Sequence, residues 1–164
     1  MIGMPVLQHN FEDSVGYWIC MASRAYERAI NDELLPRGIT HRQAQVLGWL
    51  AIDGELSQTD LAERMRVEPP TLVGILDRME REGWIRRESC ATDRRRKMIQ
   101  VRPKAEPVWS KILDCAARVR ERAVEGLTPD EVVQLRKLLG QVQHNLRMNE
   151  PSVVAIVSEA PRSN

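Results

Sequence analysis

The sequence predicts a mainly α protein with one small β-hairpin: a winged helix-turn-helix flanked by N- and C-terminal dimerisation helices. Three observations predict it. Apolar residues recur at helical spacing through both ends of the chain, and the period changes to that of short strands at "WIRRES" and "MIQV". Between those strands stand four basic side chains in a row, Arg94 to Lys97, led by Asp93.

At 164 residues and 18.8 kDa the chain is long enough for one compact unit with a core, and two independent domains would be small. A composition of 43% hydrophobic and 29% charged residues fits a soluble globular protein rather than a disordered one. No apolar run approaches the roughly eighteen residues a membrane helix needs. The N-terminal "MIGMPVLQHNFEDS" lacks the basic flank and apolar centre of a secretory signal. Cys20, Cys90 and Cys115 are widely separated with no CxxC pair, and His9, His41 and His144 are equally scattered. Neither a disulfide framework nor a metal site is expected, and a reducing, cytoplasmic address follows.

Each element has its own signal. Val15, Trp18, Ile19, Ala22, Tyr26, Ala29, Ile30 and Leu34 form the apolar stripe of a long first helix over 11–35, stopped by "PRG". Thr40 with Gln43 makes a capping box for a second helix, closed by Asp53-Gly54. Ser57 caps a brief third helix with Leu61, Ala62 and Met65 inside. Pro69 and Pro70 suit the first turn of a fourth helix over 69–82, which buries Leu72, Ile75, Leu76 and Met79. Gly83 ends it. After the two strands, Pro103 and Pro107 bracket the start of a fifth helix striped with Val108, Ile112, Cys115 and Val119. "TPDE" at 128–131 starts a sixth, expected to bury Val132, Leu135, Leu138, Leu139, Val142 and Leu146. Residues 148–164 are a tail given no fold. The division expected is a helical dimerisation region from 11–36 and 104–147 around a winged unit at 39–102.

Net charge is only +1, but residues 61–104 hold 12 Lys and Arg against 7 Asp and Glu, while residues 1–60 hold 4 against 8. A basic block between less basic arms is the electrostatic outline of a nucleic-acid reader. In a helix-turn-helix the second helix enters the major groove with its N-terminal residues near the base edges. That helix opens at Pro69 and Pro70, and its outward residues are Thr71, Gly74 and Arg78. Thr71 can hydrogen-bond a base edge or press its methyl on thymine, and Arg78, nearly two turns in, suits a phosphate. The same three residues also fit a plain solvent-facing side. Asp93, Arg94, Arg95, Arg96 and Lys97 would lie along the duplex as the wing, with an arginine in the minor groove and its neighbours on phosphates. Arg87 on the first strand is a further candidate for the DNA backbone.

The stretch "VEPPTLVGILDRMEREGWIRRESCATDRRRKMIQV" resembles the DNA-binding core of the MarR family of bacterial transcription regulators, most closely its SlyA-like branch. The proline and hydroxyl opening, "LxxLxxxGWIxR" and the Asp-x-Arg signature at Asp93 and Arg95 carry the resemblance, which covers roughly 39–102 and more loosely 11–147. It implies a homodimer whose first, fifth and sixth helices interlock and whose two winged units grip double-stranded DNA at a pseudo-palindromic operator. Arg94 and Arg95 then take the place of the family's paired wing arginines, oriented by Asp93. Gly74 departs from the pattern, since SlyA-like members often carry arginine there.

The resemblance also implies a small aromatic acid or phenol bound between the dimer helices and the winged unit. Trp18, Arg24, His41 and Trp49 are the pieces at hand, a cation and an imidazole beside aromatic walls. Cys20 lies about a turn later than the reactive cysteine of the peroxide-sensing branch and reads as an inner, unreactive thiol, with Cys90 the exposed one. No Ser/His/Asp or Cys/His arrangement or phosphate loop is present, so neither an enzyme nor a cofactor is expected. A second reading stays open: a winged-helix module docking its basic tip on an acidic protein partner.

Overall fold

The computed structural model describes residues 10–89 and 96–146. Cys90, Asp93, Arg94, Arg95 and the tail at 148–164 lie outside the described residues. A short 3-10 turn at Phe11–Asp13 leads into α1 (Val15–Leu34), where one continuous helix was expected. Then follow α2 (His41–Asp53), β1 (Leu56–Ser57), α3 (Gln58–Met65), α4 (Pro69–Arg81), β2 (Ile85–Ser89), β3 (Lys97–Val101), α5 (Glu106–Ala123) and α6 (Pro129–Asn145).

The caps hold as the sequence predicts. The Thr40 hydroxyl accepts from the Gln43 N–H at 3.2 Å, while the Thr40 N–H donates to Gln43 Oε1 at 2.8 Å, so the buried Gln43 is satisfied. Ser57 Oγ accepts from the Asp60 N–H at 3.1 Å at the start of α3. Thr128 and Glu131 form the second capping box, with Pro129 in the first turn of α6. Gly83, at φ 76°, takes the left-handed conformation that stops α4 and turns the chain into β2. Pro107 sits within the first turn of α5, where its missing N–H is harmless.

The sheet has three strands in the order β1-β3-β2, not the two of a hairpin. Leu56 pairs with Ile99 and Ser57 with Met98, so a two-residue segment ahead of α3 closes the inner side of β3. β2 runs along the other side, from Ile85 opposite Val101 to Ser89 opposite Lys97. One apolar core joins these elements. Leu61, Leu72, Leu76, Met79, Ile85 and Ile99 are fully buried in it, and Leu34 of α1 and Cys115 and Val119 of α5 close it from behind. Burial of each such side chain contributes on the order of 1.5–3 kcal/mol.

The two ends behave differently. No residue of α6 is buried within the chain: Leu135, Leu138, Leu139 and Leu146 are exposed, and Val132 and Val142 only half-buried. The stripe that the sequence expects to be buried is thus left open by the described elements of the protomer. The outer half of α1 also leaves Val15, Trp18 and Met21 exposed. Cys20 shares that exposure, against its expected inner position, since only the last turns of α1 carry buried residues, at Ile30 and Leu34. Among the described residues no helix is long and apolar enough to cross a membrane.

Candidate nucleic-acid interface

α3 and α4 are joined by a tight turn in which Arg66 adopts φ 49° and ends α3. Val67 and Glu68 then lead directly into Pro69. The hydrophobic period of α4 puts Leu72, Leu76 and Met79 against the core, and so Pro69, Pro70, Thr71, Gly74 and Arg78 emerge on the exposed side. Arg78 forms no ion pair among the described residues, which leaves its guanidinium open to an anion. A Cβ built on Gly74 would meet nothing within 4 Å, so no packing among the described residues requires glycine there.

The described basic residues on and beside the wing strands have polar partners within the protein. Arg96 donates from Nη2 to Asp60 Oδ2 at 2.9 Å and to Ser57 Oγ at 3.2 Å, joining β3 to α3. Hydrogen bonding with Ser57, reinforced by Arg96, holds the Asp60 carboxyl below its ordinary value. Lys97 Nζ donates to Ser89 Oγ at 2.8 Å across the strand pair. Arg86 reaches Gln100 Oε1 at 2.7 Å and Glu88 at 3.0 Å.

Arg87, expected to face the DNA backbone, is turned instead toward α4. Its Nε and Nη2 donate to Glu80 Oε2 at 2.9 and 2.6 Å, and Nη2 also donates to Asp77 Oδ1 at 2.6 Å. The hydrogen bond to Arg87 is the main cause holding Glu80 below its usual carboxylate value, and the same bond raises Arg87. The spacing of Asp77 and Glu80 on one helical face was a signal for this, but nothing in the sequence says which arginine they meet.

The four residues expected around a ligand are not all brought together. Arg24 and His41 line an open cavity of about 460 Å³ between α1 and α2, with Glu27, Arg28, Arg42 and Gln45. Burial lowers the His41 pKa, and Glu27 only partly opposes this, so the ring is neutral near pH 7. Trp49 is in the core at 3% exposure, with the Arg64 guanidinium 5.3 Å from its ring centroid. Trp18 is 57% exposed and donates its indole N–H to the Glu12 carbonyl at 2.8 Å. Neither tryptophan lines the cavity, and the expected aromatic walls are corrected to a rim of cations.

Comparison with known proteins agrees with the winged-helix fold. Residues 37–96 match the sequence model of the MarR family. Wild-type apo MarR from E. coli superposes with a TM-score of 0.74 at 25% identity, covering 79% of this chain and 96% of that one. A cysteine mutant of E. coli MarR complexed with operator DNA gives 0.70 at 24% identity, covering 82% and 99%. The BpsR protein of Bordetella bronchiseptica, whose DNA binding is regulated by 6-hydroxynicotinic acid, gives 0.70 at 20% identity, covering 84% and 98%.

Proposed function

We propose, from a chain whose residues 37–96 are of the MarR family and whose fold is that of MarR-family transcription regulators, that this protein is a dimeric, sequence-specific DNA-binding regulator. The carrying observation is the exposed side of α4, where Thr71, Gly74 and the unpaired Arg78 stand beside a short antiparallel sheet. Thr71 reads a base edge and Arg78 holds a phosphate. Arg94 and Arg95, oriented by Asp93, supply the wing contacts. The quoted wing and helix motifs favour the SlyA-like branch, and the scattered cysteines favour a cytoplasmic address.

Dimerisation is supported by the uncovered stripes of α1 and α6, which a second copy would cover. On this reading residues 11–36 and 104–147 join the subunits, and 39–102 meet DNA. The cavity between α1 and α2 suits a small aromatic acid: Arg24, Arg28 and Arg42 outnumber Glu27, and neutral His41 can hydrogen-bond a carboxylate or phenol. A ligand there would bear on α2, which packs on both α3 and α4.

The test is fluorescence anisotropy of the full chain on DNA from its own upstream region, over a salt series. Operator binding gives a log–log slope of about −0.9 per phosphate neutralised, and Arg78→Ala makes it shallower by about one such step. The alternative, a module docking its basic tip on an acidic protein, is favoured by Gly74, which gives α4 no side chain to read a base at that position, and by the net charge of only +1. No salt-dependent DNA binding would select that alternative.

A further inference from the structure

We infer that Arg87 is a positioning residue for DNA reading rather than a phosphate contact: with Glu80 it clamps α4 to β2, so that reading helix and sheet meet the duplex as one unit. This rests on the DNA-binding reading above. Both oxygens of Glu80 are engaged. Oε2 takes the guanidinium, and Oε1 accepts the backbone N–H of Arg87 at 2.9 Å. β2 is an outer strand in the order β1-β3-β2, so an N–H facing away from β3 has no strand partner. Glu80 supplies the acceptor. Asp77, one turn earlier on α4, completes a grip in which the helix holds both the backbone and the side chain of one strand residue.

Charge points the same way. One guanidinium between two carboxylates leaves a local excess of negative charge, which repels a phosphate. To reach one, Arg87 would have to break the bonds that make its side chain only 23% exposed. The clamp lies in the last turns of α4, with Asp77 and Glu80 on either side of Arg78 in the sequence and away from Thr71, so it fixes the tilt of the helix without touching the bases. Readout of base edges requires such placement to within about 0.5 Å.

The experiment uses full-length Arg87→Ala, Arg87→Lys and Glu80→Gln on the DNA fragment that the wild type binds and on a scrambled fragment, over a salt series. Arg87→Ala should lose about tenfold or more on the specific fragment, little on the scrambled one, with the salt slope unchanged. Arg87→Lys, which keeps the charge but not the fork, should lose nearly as much. Glu80→Gln, the variant most certain to fold, should also weaken specific binding at unchanged slope. The inference is overturned if Arg87→Ala flattens the slope by about 0.9 and weakens both fragments alike. It is equally overturned if Arg87→Lys binds like the wild type, or if Glu80→Gln binds more tightly because a phosphate-seeking arginine has been released. Absence of salt-dependent binding by the wild type would instead remove the DNA-binding reading itself.

Discussion

Leu72 and Leu76 of α4 and Leu138 and Leu139 of α6 stand on apolar stripes of the same helical period. The first pair is fully buried, and the second is about half exposed. α4 finds α2, α3 and the sheet within its own chain, whereas α6 finds no cover for its leucines among the described residues. The contrast teaches that an amphipathic stripe states a need for cover without saying which molecule supplies it. It also separates two kinds of surface: the stripe of α4 is already used within the fold, and that of α6 is still available to another molecule.

The sharpest way to break that comparison is to injure each side separately. Leu76→Ala removes a fully buried side chain and should cost about 2–5 kcal/mol by denaturant unfolding, at every protein concentration. Leu135→Glu with Leu138→Glu places charges on the exposed stripe of α6. It should weaken self-association by about 2 kcal/mol or more, roughly 30-fold, seen by sedimentation, with the unfolding of the separated chain little changed. An unaltered sedimentation profile would mean that α6 is not the joining face.

Smaller effects sharpen the picture within the winged core. Ser57→Ala removes the acceptor that caps α3 and a partner of Arg96, and should cost about 1 kcal/mol in thermal unfolding. Gly74→Ala should do the reverse, stabilising α4 by about 0.5–1 kcal/mol because its surroundings are empty, while lowering affinity for the operator if DNA approaches that spot closely. The smallest concerns acid. Asp60 and Glu80 have lowered values in the fold, so their contribution is present above the ordinary carboxylate range and is lost as pH falls through those lowered values. Asp60→Asn should therefore show a shallower loss of stability on acidification than the wild type, followed by circular dichroism.

Much of this was legible because the signals are local. Thr40 with Gln43, Ser57, Thr128 with Glu131, and Gly83 each report on backbone geometry within a few residues, and the structure agrees at every one. The outward set Thr71, Gly74 and Arg78 follows from the period of α4 alone. What escaped depends on contacts between distant segments. β1 is two residues long, too short to show alternation, and exists because β3 comes to lie beside it. Arg96 meets Asp60 from far along the chain, and no spacing rule connects them. Trp18 and Trp49 carry the same side chain on neighbouring helices, yet Trp49 is in the core and Trp18 on the surface, a difference that the apolar period of each helix does not state.

The pairing of Leu56 with Ile99 ties the segment before α3 to the strand after α4. A ladder of that kind raises the contact order of an otherwise locally wired helical chain, because the whole α3–α4 hairpin must be in position before the two rungs can form. The two rungs of β1 thus close a far longer loop than any helical hydrogen bond does, and the entropy of that closure sets them apart from the local contacts around them.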